Sequence, residues 1–206
     1  DELPEFKKNV LEVMRQPLED GRVTIARAAL SLTYPAEFML IAAMNPCPCG
    51  YYTDSQHECT CTVPQIRKYM SRISGPLLDR VDIHLEVPAV KYKELRSQKS
   101  GETSRQVRDR VEITRRVQQQ RFKDHPSLFC NARMESRDIH KYCQIDAASH
   151  DLMKRAINNL GLSARAYDRI LKVARTIADL EKCPHISAEH ISEAIQYRNL
   201  DRTIST

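Results

Sequence analysis

The length and composition of the chain are those of a globular protein. Its 206 residues include 41% hydrophobic residues with five Gly and ten Pro, which leaves room for one large or two small domains. No run of about 18 apolar residues occurs, and the acidic start differs from a secretory signal, so we expect a soluble cytoplasmic protein that does not span a membrane. The net charge of +5 permits a polyanionic partner without requiring one.

The first part of the chain predicts a helix followed by a β-hairpin. Over residues 4–16 apolar side chains recur at helical spacing, and the helix is expected to end before Pro17 or at Gly21; these side chains are Phe6, Val10, Val13 and Met14. Residues 22–34 then alternate apolar and polar side chains on both sides of two alanines. This pattern is typical of a hairpin, with Arg27 at its tip.

Two further strands are predicted before residue 90. Residues 38–45 are continuously apolar up to Asn45, which fits a strand covered on both faces in a parallel sheet, with Asn45 at its carboxyl end. Residues 81–87 alternate apolar with polar side chains, which predicts one more strand. A cysteine-rich insertion and a basic helix over residues 64–70 lie between the two.

From residue 103 onward the sequence predicts helices. An arginine-rich helix begins near Thr103, and the turn residues at 124–131 mark a domain boundary. Four more helices follow, with Ser163 and Ser187 as N-caps; they cover residues 136–142, 147–160, 163–182 and 187–197. The predicted fold class is therefore α/β over residues 1–130, followed by an all-helical domain over residues 131–206.

The seven cysteines are unevenly placed, and four of them form a compact pattern. These four are arranged as C-P-C, nine intervening residues and C-T-C: Cys47, Cys49, Cys59 and Cys61. Paired thiolates that close a loop suit a structural Zn²⁺ site, although C-x-C is tighter than the common C-x₂₋₄-C spacing. His57 is an alternative ligand, and free or oxidised thiols are the alternative to a metal.

Several short stretches, taken in chain order, resemble one family of ATPases. The stretches are "DELPEF", "MRQPLEDGRVTI", "AAMNPCPCG", "SGPLLDRVDIHLEVP" and "SARAYDRILKVARTIADLE". Over nearly the whole chain they are similar to the second half of an AAA+ ATPase of the magnesium-chelatase-like ComM/YifB family. The resemblance implies the C-terminal part of an AAA+ P-loop core, with a parallel sheet and helices, followed by an all-α lid domain. It also implies that the phosphate loop lies upstream, since the sequence contains no G-x-x-x-x-G-K-[ST].

Two acids and an asparagine match the catalytic positions of this family. Asp1 and Glu2 match the pair that ends the Walker B strand, and Asn45 matches sensor 1. The resemblance implies ATP and Mg²⁺ as cofactors: Asp1 would hold Mg²⁺, and Glu2 would orient the water that attacks the γ-phosphate. The amide of Asn45 would hydrogen-bond the γ-phosphate or that water. A solvated acidic terminus and a turn asparagine are the simpler alternatives.

Two arginines match further positions of the family. Arg80 matches the arginine finger that one subunit offers to its neighbour's nucleotide, and a surface pair with Asp79 or Asp82 is the alternative. Arg165, in the first turn of a predicted helix, resembles the sensor 2 arginine of the lid, with simple exposure as its alternative.

The resemblance implies a homo-hexameric ATPase that moves on DNA, in branch migration during recombination or uptake. Related hexameric helicases send a hairpin into the central pore, where Arg27 would contact DNA phosphates; an exposed arginine without a role is the alternative. Arg72 and Arg169 are further basic candidates that the sequence does not rank. Two other classes stay open: a chelatase-type motor for metal insertion into a porphyrin, and a non-catalytic interaction module stapled by zinc.

Overall fold

The computed structural model describes residues 1–27, 30–90, 101–125 and 127–198. Contacts among these residues divide the chain into two compact units. The first comprises Asp1–Val81 and Glu86–Ala89, and the second comprises residues 82–85 and 90 with the described residues from 101 onward. The sequence analysis drew its boundary at residue 130. The contacts instead group the helix over 104–121 with the second unit, because it packs against the helix over 164–180.

The first unit begins with short helices in place of the single predicted one. A 3₁₀ turn over Leu3–Glu5 is followed by α1 (Lys8–Val13) and α2 (Arg15–Asp20). Helix α2 contains Pro17 because this residue lies in its first turn, where a missing backbone N–H breaks no helical hydrogen bond. It ends at Gly21, whose φ of 62° is the left-handed conformation that glycine adopts at low cost.

The packing face of α1 differs from the predicted one. Leu11 is the buried side chain of this helix, with 1% of its surface exposed. Helix α1 covers only Lys8–Val13, so Phe6 and Met14 of the predicted apolar face lie outside it. The side chains of Phe6, Val10 and Val13 are exposed. The prediction of this face was therefore wrong.

The predicted hairpin is present. Strand β1 (Arg22–Arg27) pairs antiparallel with β2 (Leu30–Pro35), and Arg27 lies opposite Leu30 in the last described pair before the tip. In this register Val23 lies opposite Tyr34 and Ile25 lies opposite Leu32, so the apolar side chains share one face of the hairpin. The hairpin is exposed along most of its length, and the side chain of Arg27 is exposed with it.

The two further strands predicted from the sequence are not formed. Within the described residues the strands are β1 and β2, and residues 38–45 and 81–87 take part in no strand ladder. A strand is defined by a repeated pattern of hydrogen bonds to a neighbour. Among the described residues, segment 38–45 makes one such backbone bond, from Leu3 N–H to the Ala43 carbonyl at 3.1 Å. Most of its apolar residues are exposed, including Phe38, Met39 and Ile41, whereas Leu40 and Met44 are partly buried.

The core of the first unit lies around two helices that follow the cysteine-rich insertion. Helix α3 (Val63–Met70) begins with a capping box in which the side chain of Gln65 accepts from the Thr62 backbone N–H at 2.7 Å. Helix α4 (Gly75–Leu78) begins at Ser74, whose hydroxyl accepts from Leu77 N–H. The buried apolar side chains of this region are Tyr69, Met70, Ile73, Leu77 and Leu78.

The second unit is a bundle of helices, as the sequence predicted. Its described helices are α5 (Ser104–Arg121), α6 (Ser136–Tyr142), α7 (Ala147–Leu160), α8 (Ala164–Leu180) and α9 (Ala188–Gln196). Both predicted N-caps are confirmed: the Ser163 hydroxyl accepts from Ala166 N–H, and Ser187 forms a capping box with His190. None of the described helices has the length and apolar character that a membrane span requires.

One buried carboxylate joins three parts of the second unit. The side chain of Asp179 on α8 is 1% exposed and accepts hydrogen bonds from Arg121, Arg175 and Asn131. Arg121 lies at the end of α5, and Asn131 lies in the short turn that follows. Arg175 also donates to the backbone carbonyls of residues 183 and 184. The network therefore fixes α5 and the turn after α8 onto the central helix.

We expect Asp179→Asn to destabilise the second unit strongly. The variant removes the carboxylate charge that pairs with both Arg121 and Arg175. The two guanidinium groups then share a largely buried site without a negative partner among the residues named above. Breaking a buried pair by removing one partner costs about 3–5 kcal/mol. Urea unfolding followed by circular dichroism measures the loss. Asp151→Asn, at an exposed position on α7, is the matched control; equal stability of the two variants would contradict the role of the network.

Candidate functional site

The acid pair and Asn45 lie at adjacent segments of the first unit. Asp1 and Glu2 are exposed, and the backbone N–H of Glu2 donates to Asp1 Oδ1 at 2.9 Å. The next residue, Leu3, donates its N–H to the carbonyl of Ala43, which precedes the exposed Asn45 by two positions. Carboxylate and amide oxygens are the ligands that Mg²⁺ prefers in proteins, so the donor set fits a magnesium–nucleotide complex.

Glu2 has an unusual backbone conformation. Its φ is 53° and its ψ is 44°, which is the left-handed region that non-glycine residues rarely occupy. The conformation is fixed by the following turn, in which the Glu5 N–H donates to the Glu2 carbonyl at 2.8 Å. Such outliers are concentrated at functional sites, where surrounding contacts hold the backbone in place.

Arg80 is held within its own unit. Its side chain is 9% exposed, forms an ion pair with Glu19 at the end of α2, and donates from Nη1 to the Pro76 carbonyl at 2.6 Å. The alternative of a pair with Asp82 is not what the structure shows, because Asp82 pairs with Arg169. Sequence reasoning missed Glu19, since no local pattern links two charges that are 61 residues apart.

The two candidate arginines of α8 differ in their surroundings. Arg165, in the first turn of the helix, has an exposed side chain, which fits both the sensor 2 prediction and its alternative of simple exposure. Arg169, one turn later, is 16% exposed in its side chain and forms an ion pair with Asp82. The two arginines therefore differ in exposure, and the sensor 2 role of Arg165 stays a prediction.

The four cysteines of the predicted pattern come together in the structure. Their sulfur atoms all lie within 4.8 Å of one another; Cys47 Sγ is 3.3 Å from that of Cys49 and 3.7 Å from that of Cys59. Tetrahedral Zn²⁺ with Zn–S bonds of 2.3 Å requires sulfur atoms about 3.8 Å apart, so the cluster fits that ion. His57 is outside the cluster: its Nδ1 lies 3.6 Å from Asp54 Oδ2.

The thiols of this cluster differ in acidity. A backbone hydrogen bond at Tyr51 lowers the pKa of Cys49 to about 5, against the opposing effect of burial. For Cys59, a backbone hydrogen bond at Cys61 lowers the pKa. Burial and the neighbouring sulfurs of Cys49 and Cys47 outweigh this effect and raise the pKa to about 12. The cluster thus offers a thiolate at neutral pH, and a divalent cation would favour deprotonation of the remaining thiols.

A second group of potential ligands, Glu181, Cys183 and His190, has a different role. His190 Nδ1 accepts the Ser187 backbone N–H at 2.9 Å, so the neutral imidazole carries its proton on Nε2. That proton is directed to Glu181 Oε2, 2.9 Å away. Both ring nitrogens are therefore engaged, and no lone pair is directed toward a metal. The group caps α9 and ties it to the end of α8.

Comparison with known families places both halves of the chain in one class of proteins. The family model described as "Magnesium chelatase, subunit ChlI" matches residues 1–95, and the model described as "Magnesium chelatase, subunit ChlI C-terminal" matches residues 101–198. Together they cover both structural units. The chain belongs to the magnesium-chelatase-like family, as the motifs predicted.

Individual relatives agree with this assignment. The chain is 44% identical over 206 residues to the competence protein ComM of Haemophilus influenzae, and 43% identical over 205 residues to the uncharacterized protein YifB of Salmonella typhimurium. It is also 40% identical over 205 residues to YifB of Escherichia coli. Each match covers 99% of this chain, and the chain spans 39% of the length of each relative.

We expect protein purified without chelator to contain about one Zn²⁺ per chain, because four converging sulfurs form a closed structural site. Elemental analysis by mass spectrometry measures the content. Cys59→Ser should lower it, whereas Cys130→Ser, outside the cluster, should leave it unchanged. Metal-free protein with four thiols reacting freely with a thiol reagent would contradict the assignment.

Proposed function

We propose that this chain forms part of a ring-forming ATPase that couples ATP hydrolysis to movement on DNA. Membership of the magnesium-chelatase-like family supports nucleotide chemistry. The observation that carries the proposal is the hydrogen bond between Leu3 and Ala43, because it joins the segment of the acid pair to the segment of Asn45. Two carboxylates and a neutral amide on these adjoining segments are among the groups that hydrolysis of a phosphoanhydride uses.

The proposed roles follow from the chemistry of each side chain. Magnesium, when bound, neutralises phosphate charge, and the carboxylate of Asp1 would hold it directly or through its waters. The carboxylate of Glu2 would accept a hydrogen bond from the attacking water and orient it toward phosphorus. The amide of Asn45 would donate a hydrogen bond to the γ-phosphate or to that water without adding charge.

Arg80 and Arg165 would supply positive charge from two different directions. Arg80 would act on the nucleotide of a neighbouring subunit, where a planar guanidinium offsets charge that develops in the transition state. To do so it would exchange the single carboxylate of Glu19 for the more highly charged phosphates. Arg165, exposed at the start of α8, would contact the phosphates from the helical unit.

DNA is the proposed polymer because of the hairpin and the relatives. Arg27 is exposed in the last described pair of an exposed hairpin, a position from which a guanidinium can contact phosphates without reading sequence. A relative at 44% identity carries the name competence protein. The description of the family model favours a second candidate, a chelatase-type motor that drives metal insertion into a porphyrin through a partner subunit.

ATPase assays of the full-length protein separate these functions. We expect hydrolysis that branched or single-stranded DNA stimulates; hydrolysis without stimulation would favour the chelatase-type motor, and no hydrolysis would favour an interaction module.

Glu2→Gln should lower kcat by about 100-fold or more while nucleotide binding is retained, because only activation of the water is lost. Glu58→Gln, in the exposed cysteine loop, is the matched control. Loss of binding in Glu2→Gln would assign Glu2 a structural role instead.

Arg80→Ala tests action between subunits. The variant should bind ATP nearly normally and hydrolyse it about 10³-fold or more slowly. Mixing it with Glu2→Gln subunits should restore activity, since about a quarter of the interfaces in an equimolar random ring pair an intact Glu2 with an intact Arg80 of the neighbour. Full activity of pure Arg80→Ala protein, or mixtures no more active than their components, would remove the assignment.

A further inference from the structure

Arg72 connects the core of the first unit to the turn that follows the acid pair. It lies just after α3, and its Nη1 donates to the carbonyl of Pro4 at 3.0 Å and to Glu5 Oε2 at 2.9 Å. Pro4 is fully buried, and it is 68 residues away from Arg72 in the chain. One guanidinium thus holds two consecutive residues of the turn Leu3–Glu5.

Holding this turn also fixes Glu2. The Glu5 backbone N–H donates to the Glu2 carbonyl, so the position of Glu5 determines that of the peptide unit after Glu2. Glu2 itself has a positive φ, a conformation that is costly for a non-glycine residue and that persists where surrounding contacts hold it. The bond from Leu3 to Ala43 sets the position of the same turn relative to the segment that ends at Asn45.

Tyr69, one helical turn before Arg72, lies among the same groups. Its ring is buried, and the Arg72 backbone N–H donates to its carbonyl at 3.2 Å. Burial first, and then the negative charge of Glu5, raise the pKa of the Tyr69 hydroxyl, while a hydrogen bond from the Asn45 backbone opposes the rise. The end of α3 is therefore close to both candidate catalytic segments.

Stability alone does not explain the contacts of Arg72. The side chains of Arg72 and Glu5 are 45% and 56% exposed, and ion pairs in this range contribute little to folding because solvent screens them. A bond to the carbonyl of the buried Pro4 has a different consequence, since it restricts the position of the backbone at that residue. Catalysis depends on that kind of positional control.

We propose that Arg72 is a positioning residue for the acid pair, and that it holds the turn after Glu2 so that the Glu2 carboxylate stays aligned with Asn45. The inference rests on the proposed ATPase function. Arg72 contacts neither nucleotide nor metal in this account. Its side-chain bonds are made to the turn that follows the acid pair, whereas those of Arg80 are made to Glu19 and Pro76. The sequence did not rank Arg72, and its contacts give it this role.

The kinetic test uses the full-length protein with Arg72→Ala, Arg72→Lys and the control Arg67→Ala, which lies exposed on α3. Misalignment of a catalytic group lowers kcat and leaves substrate binding intact, so Arg72→Ala should reduce kcat about 10-fold or more with the KM for ATP within about two-fold. Arg72→Lys should recover part of kcat, because an ammonium can donate to the same carbonyl. Unchanged kcat in Arg72→Ala, or a rise in KM alone, would overturn the proposal.

Hydrogen exchange tests the contact independently of activity. In Arg72→Ala, peptides that contain residues 3–5 should exchange their amide protons faster than in the wild type and in Arg67→Ala, while peptides of the second unit exchange as before. Unchanged exchange at residues 3–5 would overturn the proposal even if hydrolysis is impaired. If the wild-type protein has no ATPase activity, both the proposed function and the positioning role are rejected. Faster exchange in Arg72→Ala would then show only that Arg72 stabilises the turn over residues 3–5.

Discussion

The convergence of four cysteine sulfurs brings the two ends of the cysteine-rich insertion together in the first unit. It closes the loop between Cys47 and Cys61, so that Asn45 precedes one end of the loop and helix α3 follows the other. Cys47 is fully buried, and the other buried apolar side chains of this unit are few within the described residues. A metal bound to these sulfurs would add order to a small unit with a limited core, because the ligands bring distant parts of the chain together.

The elements of the candidate site follow from this loop in order. Helix α3 begins two residues after Cys61, and its end carries Tyr69 and then Arg72, which contacts the turn after the acid pair. Helix α4 comes next and leads to Arg80, which Glu19 holds at the end of α2. Helix α2 continues through Gly21 into the hairpin that carries Arg27, and its Glu19 forms the ion pair with Arg80. The proposed DNA contact and the proposed arginine finger are therefore both connected to α2.

Local patterns were predicted well from the sequence, and long-range pairings were not. The hairpin and the helices of the second unit follow from periodicity and from caps such as Ser163, which depend on neighbouring residues alone. The prediction of a strand over residues 38–45 was wrong. An apolar run fits a buried strand, but a strand also needs a neighbouring segment that forms a ladder of backbone hydrogen bonds with it. The partner of Arg80 and the contacts of Arg72 join residues more than 60 positions apart, and single-sequence patterns carry no information about such pairs.

The central claim is that Glu2 and Asn45 act on one nucleotide. The most direct measurement is a structure of the full-length protein with Mg²⁺ and an ATP transition-state analogue. The account predicts that the Glu2 carboxylate and the Asn45 amide both lie within hydrogen-bond distance, about 3.2 Å, of the attacking water or the γ-phosphate position. A structure in which either side chain lies farther away than one bridging water, about 6 Å, would contradict it.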